Sequence, residues 1–498
     1  MFRIRDIIHG YIPLDEEDEP LLACPYIQRL RYIRQNDLGY LVFPTLNTSR
    51  FEHSLGVMHL AGQLAENALR NAGDKPSKTY MGDLWNVIPA ECRNSINHNY
   101  PELRGSFRRA ARWYGLLHDV GHLPFSHLTE HAITSSYKGK NVDIINLLYG
   151  NDGACNFTKL HEAAAYSIVK SESVRAALSI DRQAAWMVEQ LLRDKKSIPT
   201  LQPLKDIVDS EVDADRIDST ARDGRLSGGD FGNYDIPRLI QNVQLVKHRN
   251  AWRTMFSTRT IGPMEGLLLE RYKTHRWIHF HPKVMALKNA FRYCISKLEW
   301  PPESWKQDRY FEPNRGFLDD ASILRALWEM QPTAQPIAHA RSAILLREET
   351  ASPLWKRTDE FHQYCDRIAN LKAEWIRDNQ EHPILNRFAG YGTDLLEERL
   401  NENPPSGVHY LVGQTKIKLI ELREDDVIRK SEYYILPESG EPTSLTQQSG
   451  LVENLPEIIK REPIISVSVL GDTRSEKKKD EIKDHFISVA TALFNEQY

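Results

Sequence analysis

The sequence predicts a mainly α-helical protein in which a large helical core is followed by a smaller α/β region at the C-terminus. Three observations lead to this prediction. Apolar residues recur at helical spacing in several segments of the first 300 residues, and helical patterns continue to about residue 400. Beyond that point the period shifts towards two, and residues 464–470 are rich in β-branched side chains, which is typical of a strand. We therefore expect a core of helices and not a parallel sheet.

The N-terminal elements can be predicted in chain order. Residues 1–20 begin with a short strand or hairpin, and residues 26–36 form an arginine-rich helical pattern. Residues 53–72 give the strongest helix pattern, because apolar residues recur at i, i+4, i+7 and i+11 until Gly73 and Pro76 end it. Further helices are predicted at 107–119, 161–170 and 182–194, within 206–224, and at 262–278 and 284–299.

The segment 75–106 is long for a connection between two helices. It contains apolar residues such as Met81 and Leu84, which could pack on a neighbour. We favour a surface excursion, because connecting segments usually run over the surface of a protein.

Chain length and proline-rich connections suggest the domain organisation. A chain of 498 residues is too long for one simple core, which favours two or three domains. Trp300-Pro301-Pro302 and Asn403-Pro404-Pro405 mark connections. We place a core domain at 1–315, a helical extension at 316–402 and an α/β region at 403–498, with strands expected at 416–422 and 464–470 and a final helix at 476–495.

The composition argues against several classes of protein. Hydrophobic residues make up 41% of the chain and charged residues 27%, as in ordinary globular proteins. The net charge of −4 gives no general attraction for nucleic acid, and no apolar run is long enough to span a membrane. The acidic N-terminus lacks the features of a secretory signal, and the five cysteines form no Cys-x-x-Cys pair. We expect a cytoplasmic protein with neither a membrane nor a nucleic-acid partner.

Four short segments carry the residue types that bind divalent cations. They are Arg50-Phe51-Glu52-His53, His118-Asp119-Val120-Gly121-His122, His161-Glu162 and Asp213-Ala214-Asp215-Arg216-Ile217-Asp218. A single histidine is usually structural, but imidazole and carboxylate groups together suit borderline divalent metals. Two histidines and two aspartates would leave coordination positions for water and substrate. The neighbours His118 and Asp119 could reach one ion if the helix tightens or frays there.

Several ordered motifs extend over residues 1–295. RFEHSLGV, LLHDVGHLPFSH and VDADRIDSTARD, with IQRLRYIRQ upstream and RYKTHRWIHFHPKV downstream, resemble the deoxynucleoside triphosphate triphosphohydrolase branch of the HD-domain phosphohydrolases. The resemblance implies an HD-domain helical core in an HD phosphohydrolase domain at 1–315. Position by position, it implies the metal ligands His53, His118, Asp119 and Asp215. It implies the catalytic residues His122, His127, Glu130 and His161. It implies the substrate-binding residues Gln35, Arg50, Arg216, Asp223, Arg271 and His279.

The resemblance also implies an activity, the metal-dependent hydrolysis of deoxynucleoside triphosphates to deoxynucleoside and inorganic triphosphate. The divalent metal ion would be Mn, Mg, Fe or Zn, with additional Mg on the nucleotide. His122 or His127 would act as general acid towards the leaving oxygen, and guanidinium forks suit the oxygens of a triphosphate. Relatives assemble into homo-oligomers and respond to nucleotide effectors, and the resemblance implies both here.

Departures from the family's pattern leave other functions open. Ser219 and His279 stand where relatives carry tyrosine near the sugar, so the preference for deoxyribose is open. Ala23 replaces an acidic residue of an effector site in animal members, so a guanine-nucleotide activator is not supported. The alternatives are an HD phosphohydrolase acting on a monophosphate, a ribonucleotide or a signalling nucleotide, a nuclease, and a nucleotide-sensing non-catalytic subunit.

Overall fold

α-Helices make up most of the structure. The computed structural model describes residues 2–95, 97, 99–138, 143–149, 157–193, 198–298, 302–312, 316–370, 383–389, 392–414, 434–438 and 440–497. The helices of the N-terminal part are α1 (Glu19–Leu22), α2 (Pro25–Arg29), α3 (Arg50–Ala72), α4 (Asp74–Val87), α5 (Tyr100–Leu117), α6 (His127–Lys138), α7 (Ile144–Tyr149), α8 (Leu160–Val169), α9 (Glu172–Leu178), α10 (Arg182–Arg193), α11 (Gln202–Val208), α12 (Ala214–Leu226), α13 (Ile236–Gln241), α14 (Ile261–Thr274) and α15 (Pro282–Ile295). Those of the C-terminal part are α16 (Asp320–Glu329), α17 (Gln335–Leu345), α18 (Thr358–Asn370), α19 (Gly392–Glu402), α20 (Leu445–Gln448), α21 (Gly450–Lys460) and α22 (Glu476–Gln497). The predicted fold class, mainly α with a smaller α/β region at the C-terminus, is confirmed.

Short strands form small sheets at the edges of the helical core. The strands are β1 (Phe2–Asp6), β2 (Gly10–Leu14), β3 (Val243–His248), β4 (Ala251–Ser257), β5 (Phe311–Glu312), β6 (Gly316–Phe317), β7 (Ala351–Pro353), β8 (His409–Gln414), β9 (Tyr434–Leu436), β10 (Thr443–Ser444) and β11 (Ile465–Leu470). β1 and β2 form an antiparallel hairpin, as do β5 and β6. The other two sheets have the strand orders β10-β9-β4-β3, in which β9 runs parallel to β4, and β7-β11-β8.

The long helices α3 and α5 lie side by side in the centre of the core. α3 starts after Ser49, whose side chain accepts a hydrogen bond from the amide of Glu52 in a capping box. It ends at Gly73, where φ is 81° and glycine is favoured because it lacks a side chain. The packing brings the first turn of α3 to the C-terminal end of α5, where the rings of His53 and His118 lie 5.5 Å apart.

The predicted helix at 26–36 needs a correction, whereas the hairpin within 1–20 and the other predicted N-terminal helices are confirmed. α2 ends at Arg29, and a single 3₁₀ turn follows. The chain then becomes extended because it pairs with the segment before α3. The amide of Arg50 donates to the carbonyl of Ile33 at 2.8 Å, and the amide of Gln35 donates to that of Thr48 at 2.9 Å. Tertiary pairing therefore overrides the local helical pattern.

The expectation that 75–106 is a surface excursion is wrong for its first half. This half forms α4, in which Tyr80 and Leu84 are completely buried. The Tyr80 ring meets Trp252 of β4 edge-on, with the ring centroids 5.3 Å apart. Pro76 lies in the first turn of α4, where a missing amide costs little, so it helps to start a helix.

The residues after about 350 build a second hydrophobic cluster, in which α18, α19 and α22 pack around the β7-β11-β8 sheet. The predicted strand at 464–470 and helix at 476–495 are confirmed as β11 and α22. The predicted strand at 416–422, and Trp300 with Pro301, lie outside the described residues. The domain limits at 315/316 and 402/403 stay predictions.

Within the part of the chain that the structure describes, each helix is too short or too polar to cross a membrane.

Candidate metal centre and active site

Four side chains from α3, the end of α5 and α12 converge on one small volume. Nε2 of His53 lies 3.0 Å from Oδ1 of Asp215 and 3.7 Å from Oδ2 of Asp119. Nε2 of His118 lies 3.4 Å from the same Asp119 oxygen and 4.0 Å from the same Asp215 oxygen. Of the four residues predicted as metal ligands, His53, His118 and Asp119 have donor atoms within 4.8 Å of one another, and Asp215 lies beside the two histidines.

The local backbone explains this convergence. α5 ends at Leu117. His118 keeps helical dihedral angles, and its amide donates to the carbonyl of Tyr114 at 2.9 Å, whereas the amide of Val120 donates to the carbonyl of Leu117, three residues back, at 3.1 Å. The helix end therefore tightens, which is one of the two ways in which His118 and Asp119 could reach one ion. Asp215 lies in the first turn of α12, which is capped by Asp213 through a hydrogen bond from the amide of Arg216 at 2.7 Å.

The donor set fits a divalent cation. Nε2 of His53 and Nε2 of His118 are both buried, and neither makes a hydrogen bond of regular geometry with the described residues. Neighbouring ligands of an octahedral ion with bonds of about 2.1 Å lie ~3 Å apart and opposite ligands ~4.2 Å apart, which brackets the separations found here. Imidazole and carboxylate donors suit Mn, Fe and Zn. His53, His118, Asp119 and Asp215 could therefore hold the metal, whose identity is open.

Neighbouring charges determine the protonation of His53 and Asp119. Burial by itself would lower the pKa of His53, but Asp215 and Asp218 beside it raise that pKa to about 10. Burial would raise the pKa of Asp119, yet Arg50 and the neighbouring histidines hold it well below its ordinary value. Without a cation, His53 is therefore protonated on both ring nitrogens. A cation that binds at Nε2 must displace the proton on that nitrogen.

Asp218 is a further candidate for the site, which lies in the fourth motif but was not predicted to have a role. Its carboxylate is completely buried and accepts a hydrogen bond from Nδ1 of His53 at 2.8 Å. Arg222 donates to both carboxylate oxygens, at 2.9 and 2.8 Å. A carboxylate on the far nitrogen of a ligand histidine fixes the orientation and tautomer of the ring. The sequence could have indicated Asp218, because it lies three residues after Asp215 and therefore shares one face of α12 with it.

His122, His127, Glu130 and His161 form a second polar group beside the metal ligands. Nδ1 of His161 donates to Glu130 at 2.6 Å, and Nε2 of His122 lies 3.1 Å from Oδ1 of Asp119. The rings of His122 and His161 are stacked, with centroids 4.1 Å apart and planes 16° from parallel. Imidazole lone pairs lie in the ring plane, so two stacked rings cannot both direct a nitrogen at one ion. These residues therefore fit proton transfer better than a second metal site.

A strained turn connects the two groups. Phe125 and Ser126 have φ values of 53° and 57°, a left-handed conformation that is costly for residues with side chains. Asp320 of α16 holds the turn by accepting from the amide of Phe125 at 2.7 Å. Arg50 donates to Oγ of Ser126 at 2.7 Å and also to Asp119, and it is almost completely buried. The predicted phosphate clamp Arg50 therefore already has two protein partners.

A cavity of about 190 Å³ opens beside the metal ligands. The residues that line it include His118, Asp119, Asp215, His127, His161, Phe157, Lys159, Arg193 and Lys205. Lys159 lies 3.0 Å from Glu162, and about half of its side chain is exposed. The sequence reasoning missed Lys159 and Lys205, since no motif marks them. Cations at this place could meet the negative charge of a phosphate group.

Asp223 and His279, both predicted to bind substrate, contact each other. Nε2 of His279 lies 3.1 Å from Oδ2 of Asp223, and the side-chain amide of Asn36 donates to Oδ1 of Asp223 at 2.6 Å. His279 ends a π-helical turn at His275–His279, which continues α14, and such turns are frequent at functional sites. Both oxygens of the Asp223 carboxylate thus have protein partners, one of which, Asn36, had not been predicted.

The remaining residues predicted to bind substrate are Gln35, Arg216 and Arg271. Arg216 pairs with Asp213 at 3.2 Å. Burial lowers the pKa of Arg271 to about 10, and the positive charge of Arg216 contributes, so the two guanidinium groups lie near each other. Oε1 of Gln35 is buried without a hydrogen-bond partner among the described residues. The described residues that line the cavity do not include Gln35, Arg216 or Arg271.

Comparisons with known proteins cover the segment that carries most of these residues. Residues 50–223 match the model of the HD domain. An uncharacterised protein of Methanocaldococcus jannaschii is 26% identical over 299 residues, which cover 59% of this chain and 49% of that protein. The deoxynucleoside triphosphate triphosphohydrolase SAMHD1 of Homo sapiens is 27% identical over 296 residues, which cover 56% of this chain and 41% of that protein. The chain thus spans about half the length of these relatives.

A longer match extends the similarity to most of the chain. The SAMHD1 homolog of Dictyostelium discoideum is 23% identical over 464 residues, which cover 91% of this chain and 74% of that protein. The crystal structure of a hypothetical protein from Aquifex aeolicus shares the fold, with a TM-score of 0.60 over 96% of this chain and 99% of that one, at 20% identity. Residues 50–223 of this chain are thus similar to the HD domain.

Proposed function

We propose that the protein hydrolyses deoxynucleoside triphosphates to deoxynucleoside and inorganic triphosphate with the help of a divalent metal ion. The observation that carries the proposal is the convergence of His53, His118, Asp119 and Asp215 at the mouth of a cavity. A histidine group and lysine side chains line the same cavity, which supports phosphate chemistry. The names of the triphosphohydrolase relatives support the nucleotide substrate.

A bound divalent cation would supply Lewis-acid chemistry, polarising a phosphoryl oxygen and making water more acidic. The protein's own residues position this chemistry. Asp218 orients His53, and Arg50 together with Ser126 fixes the carboxylate of Asp119. Lys159, at the cavity wall, would bind the phosphate chain and absorb negative charge that develops there.

His127 is the best candidate for the proton donor to the leaving oxygen. It lines the cavity, and 65% of its side chain is exposed, whereas His122 is almost completely buried. Nδ1 of His127 lies 3.7 Å from Oε2 of Glu130. Burial would raise the pKa of Glu130, but His161 and His127 lower it well below its ordinary value. Burial lowers the pKa of His127, and the ionised Glu130 opposes this shift by favouring the protonated form that a general acid requires.

Product analysis tests the proposal directly. The protein would be given each dNTP and NTP, singly and in mixtures, with Mg²⁺ or Mn²⁺, and the products followed by phosphorus NMR and chromatography. Inorganic triphosphate together with the matching deoxynucleoside is expected, and Asp215→Ala is the matched inactive control. Absence of triphosphate from every mixture would refute the proposal. Tight nucleotide binding without turnover would instead identify a non-catalytic sensor.

A second candidate is hydrolysis of another nucleotide, such as a ribonucleotide, a monophosphate or a signalling nucleotide. The contacts of Asp223 favour it. Both oxygens of this expected sugar-binding carboxylate are occupied by Asn36 and His279. A carboxylate with two donors in place discriminates less well between a hydroxyl and a hydrogen on the sugar. Release of orthophosphate or pyrophosphate, or equal turnover of ATP and dATP, would select this candidate.

The expectations about assembly and location remain part of the proposal. A homo-oligomer, a nucleotide effector, additional Mg on the nucleotide and a cytoplasmic location follow from the resemblance and composition. Mass photometry with and without added nucleotides would test the first two, because an effector that acts through assembly changes the measured mass.

A further inference from the structure

The start of the chain reaches the metal centre. β1 and β2 form a hairpin, and the turn between them is fixed by Asp6, whose Oδ1 accepts from the amides of Ile8 and His9 at 2.8 and 2.9 Å. The other oxygen of Asp6 accepts from Arg222 at 2.7 Å. The turn is thereby anchored to α12, the helix that carries Asp215.

The anchored turn directs the His9 side chain at Asp218. Nε2 of His9 lies 2.7 Å from Oδ1 of Asp218, across 209 positions of the sequence. The His9 side chain is 6% exposed and the carboxylate is completely buried, so water cannot readily replace this donor. Asp218 therefore has three protein partners, since His53 and Arg222 donate to it as well.

The geometry points to His9 as a positioning residue of the metal centre, which holds the Asp218 carboxylate and through it the tautomer and orientation of His53. This role rests on the metal centre proposed above and not on the identity of the substrate. Arg222 alone would fix the carboxylate from one side. With His9 on Oδ1 and His53 on Oδ2, the carboxylate plane is set from both sides, and Nε2 of His53 stays free for the cation.

The role predicts that metal affinity depends on a hydrogen-bond donor at one place in the N-terminal hairpin. The amide nitrogen of glutamine can occupy the position of Nε2 of a histidine, whereas that of asparagine corresponds to Nδ1. His9→Gln should therefore keep the bond to Asp218, and His9→Asn should lose it. Arg5→Ala is the matched control, because it alters the exposed face of the same hairpin, where Arg5 donates to the hydroxyl of Tyr11 at 3.2 Å.

Mn²⁺ binding to the full-length, metal-stripped protein tests the role, with free Mn²⁺ measured by electron paramagnetic resonance. The dissociation constant should rise roughly 10- to 100-fold in His9→Asn, and stay within about 3-fold of wild type in His9→Gln and Arg5→Ala. Wild-type affinity in His9→Asn would overturn the role. So would an equal loss in His9→Gln, or a similar loss in Arg5→Ala, because each would assign the effect to hairpin stability.

A second measurement does not need the variant to fold. In metal-free wild-type protein with ¹⁵N-labelled histidine, long-range ¹⁵N–¹H spectra should show His9 with a proton on Nε2. A neutral His9 with its proton on Nδ1 alone would overturn the role. Wild-type protein that binds no Mn²⁺ would overturn the metal centre itself and this role with it, whereas a failed triphosphate assay would leave both standing.

Discussion

Substitution of Gly56 by alanine should weaken metal binding by displacing Asp218, the carboxylate that orients His53. Gly56 lies in α3 one turn after His53, and a Cβ built there would come 1.9 Å from Oδ1 of Asp218 and 2.7 Å from a guanidinium nitrogen of Arg222. Real Cβ contacts are essentially never shorter than 3.0 Å. The carboxylate must therefore retreat by roughly 1 Å, which takes its bond to His53 out of hydrogen-bonding range.

The change in the free energy of unfolding on substitution by alanine should be negative at Gly56 and positive at a control glycine. In an open helix position, alanine in place of glycine stabilises by about 1 kcal/mol, and Gly82 of α4 is such a position, with nothing within 4 Å of an added Cβ. At Gly56 this gain is outweighed by overpacking, which costs roughly 1–3 kcal/mol. Metal affinity should fall roughly 10- to 100-fold in Gly56→Ala, because His53 loses its orienting carboxylate.

Urea unfolding and Mn²⁺ binding, measured on Gly56→Ala, Gly82→Ala and wild type, test this reasoning. Gly82→Ala should be at least as stable as wild type and bind Mn²⁺ equally well. The reasoning is refuted if Gly56→Ala folds with wild-type stability and wild-type affinity, since the carboxylate would then tolerate the displacement.

Three further predictions concern the ligands, the histidine group and the strained turn. Asp215→Ala should abolish both metal binding and turnover, and metal retained at one equivalent in elemental analysis would contradict the ligand assignment. Glu130→Gln should keep metal affinity but lower kcat by ~10²-fold because the general acid loses its partner, and an unchanged kcat in steady-state assays would contradict that role. Burial raises the pKa of Asp320 to about 6, so the folded state binds more protons than the unfolded state between about pH 4 and 6. The unfolding free energy of wild type relative to Asp320→Asn should therefore fall by about 3 kcal/mol as the pH rises through this window, and a difference that is flat with pH in urea titrations would argue against it.

The helical architecture could be predicted because its signals are local. The capping residues of α3 and the apolar periodicity of α3, α10 and α14 lie within each helix, and the observed bounds differ from the predicted ones by a few residues. The predictions were wrong where contacts with a segment distant in the sequence determine the local structure. Residues 33–35 are extended because the segment before α3 pairs with them, and Tyr80 of α4 is buried against Trp252, which lies far along the chain.

The candidate metal ligands could be found for a related reason, since each lies in a short motif with a distinct residue type. His118 and Asp119 are adjacent in the sequence, and the helix end that frees both of them could be anticipated from Gly121 and Pro124. Lys159 and His9 could not be found, because a lysine or a histidine outside a motif is common. Only folding shows that one lines the cavity and that the other meets Asp218.

The metal ligands and the residues expected to hold the nucleotide differ in how their charges are balanced. Nε2 of His118 is buried without a regular hydrogen bond among the described residues, an arrangement that is costly unless a cation completes it. Arg50 and Asp223, in contrast, are buried with protein partners already in place. Breaking a buried charge pair costs several kcal/mol, so a nucleotide engages these two residues only if it replaces their partners. Under the proposed function, nucleotide selectivity would therefore depend on how far Arg50 and Asp223 rearrange when phosphate and sugar arrive.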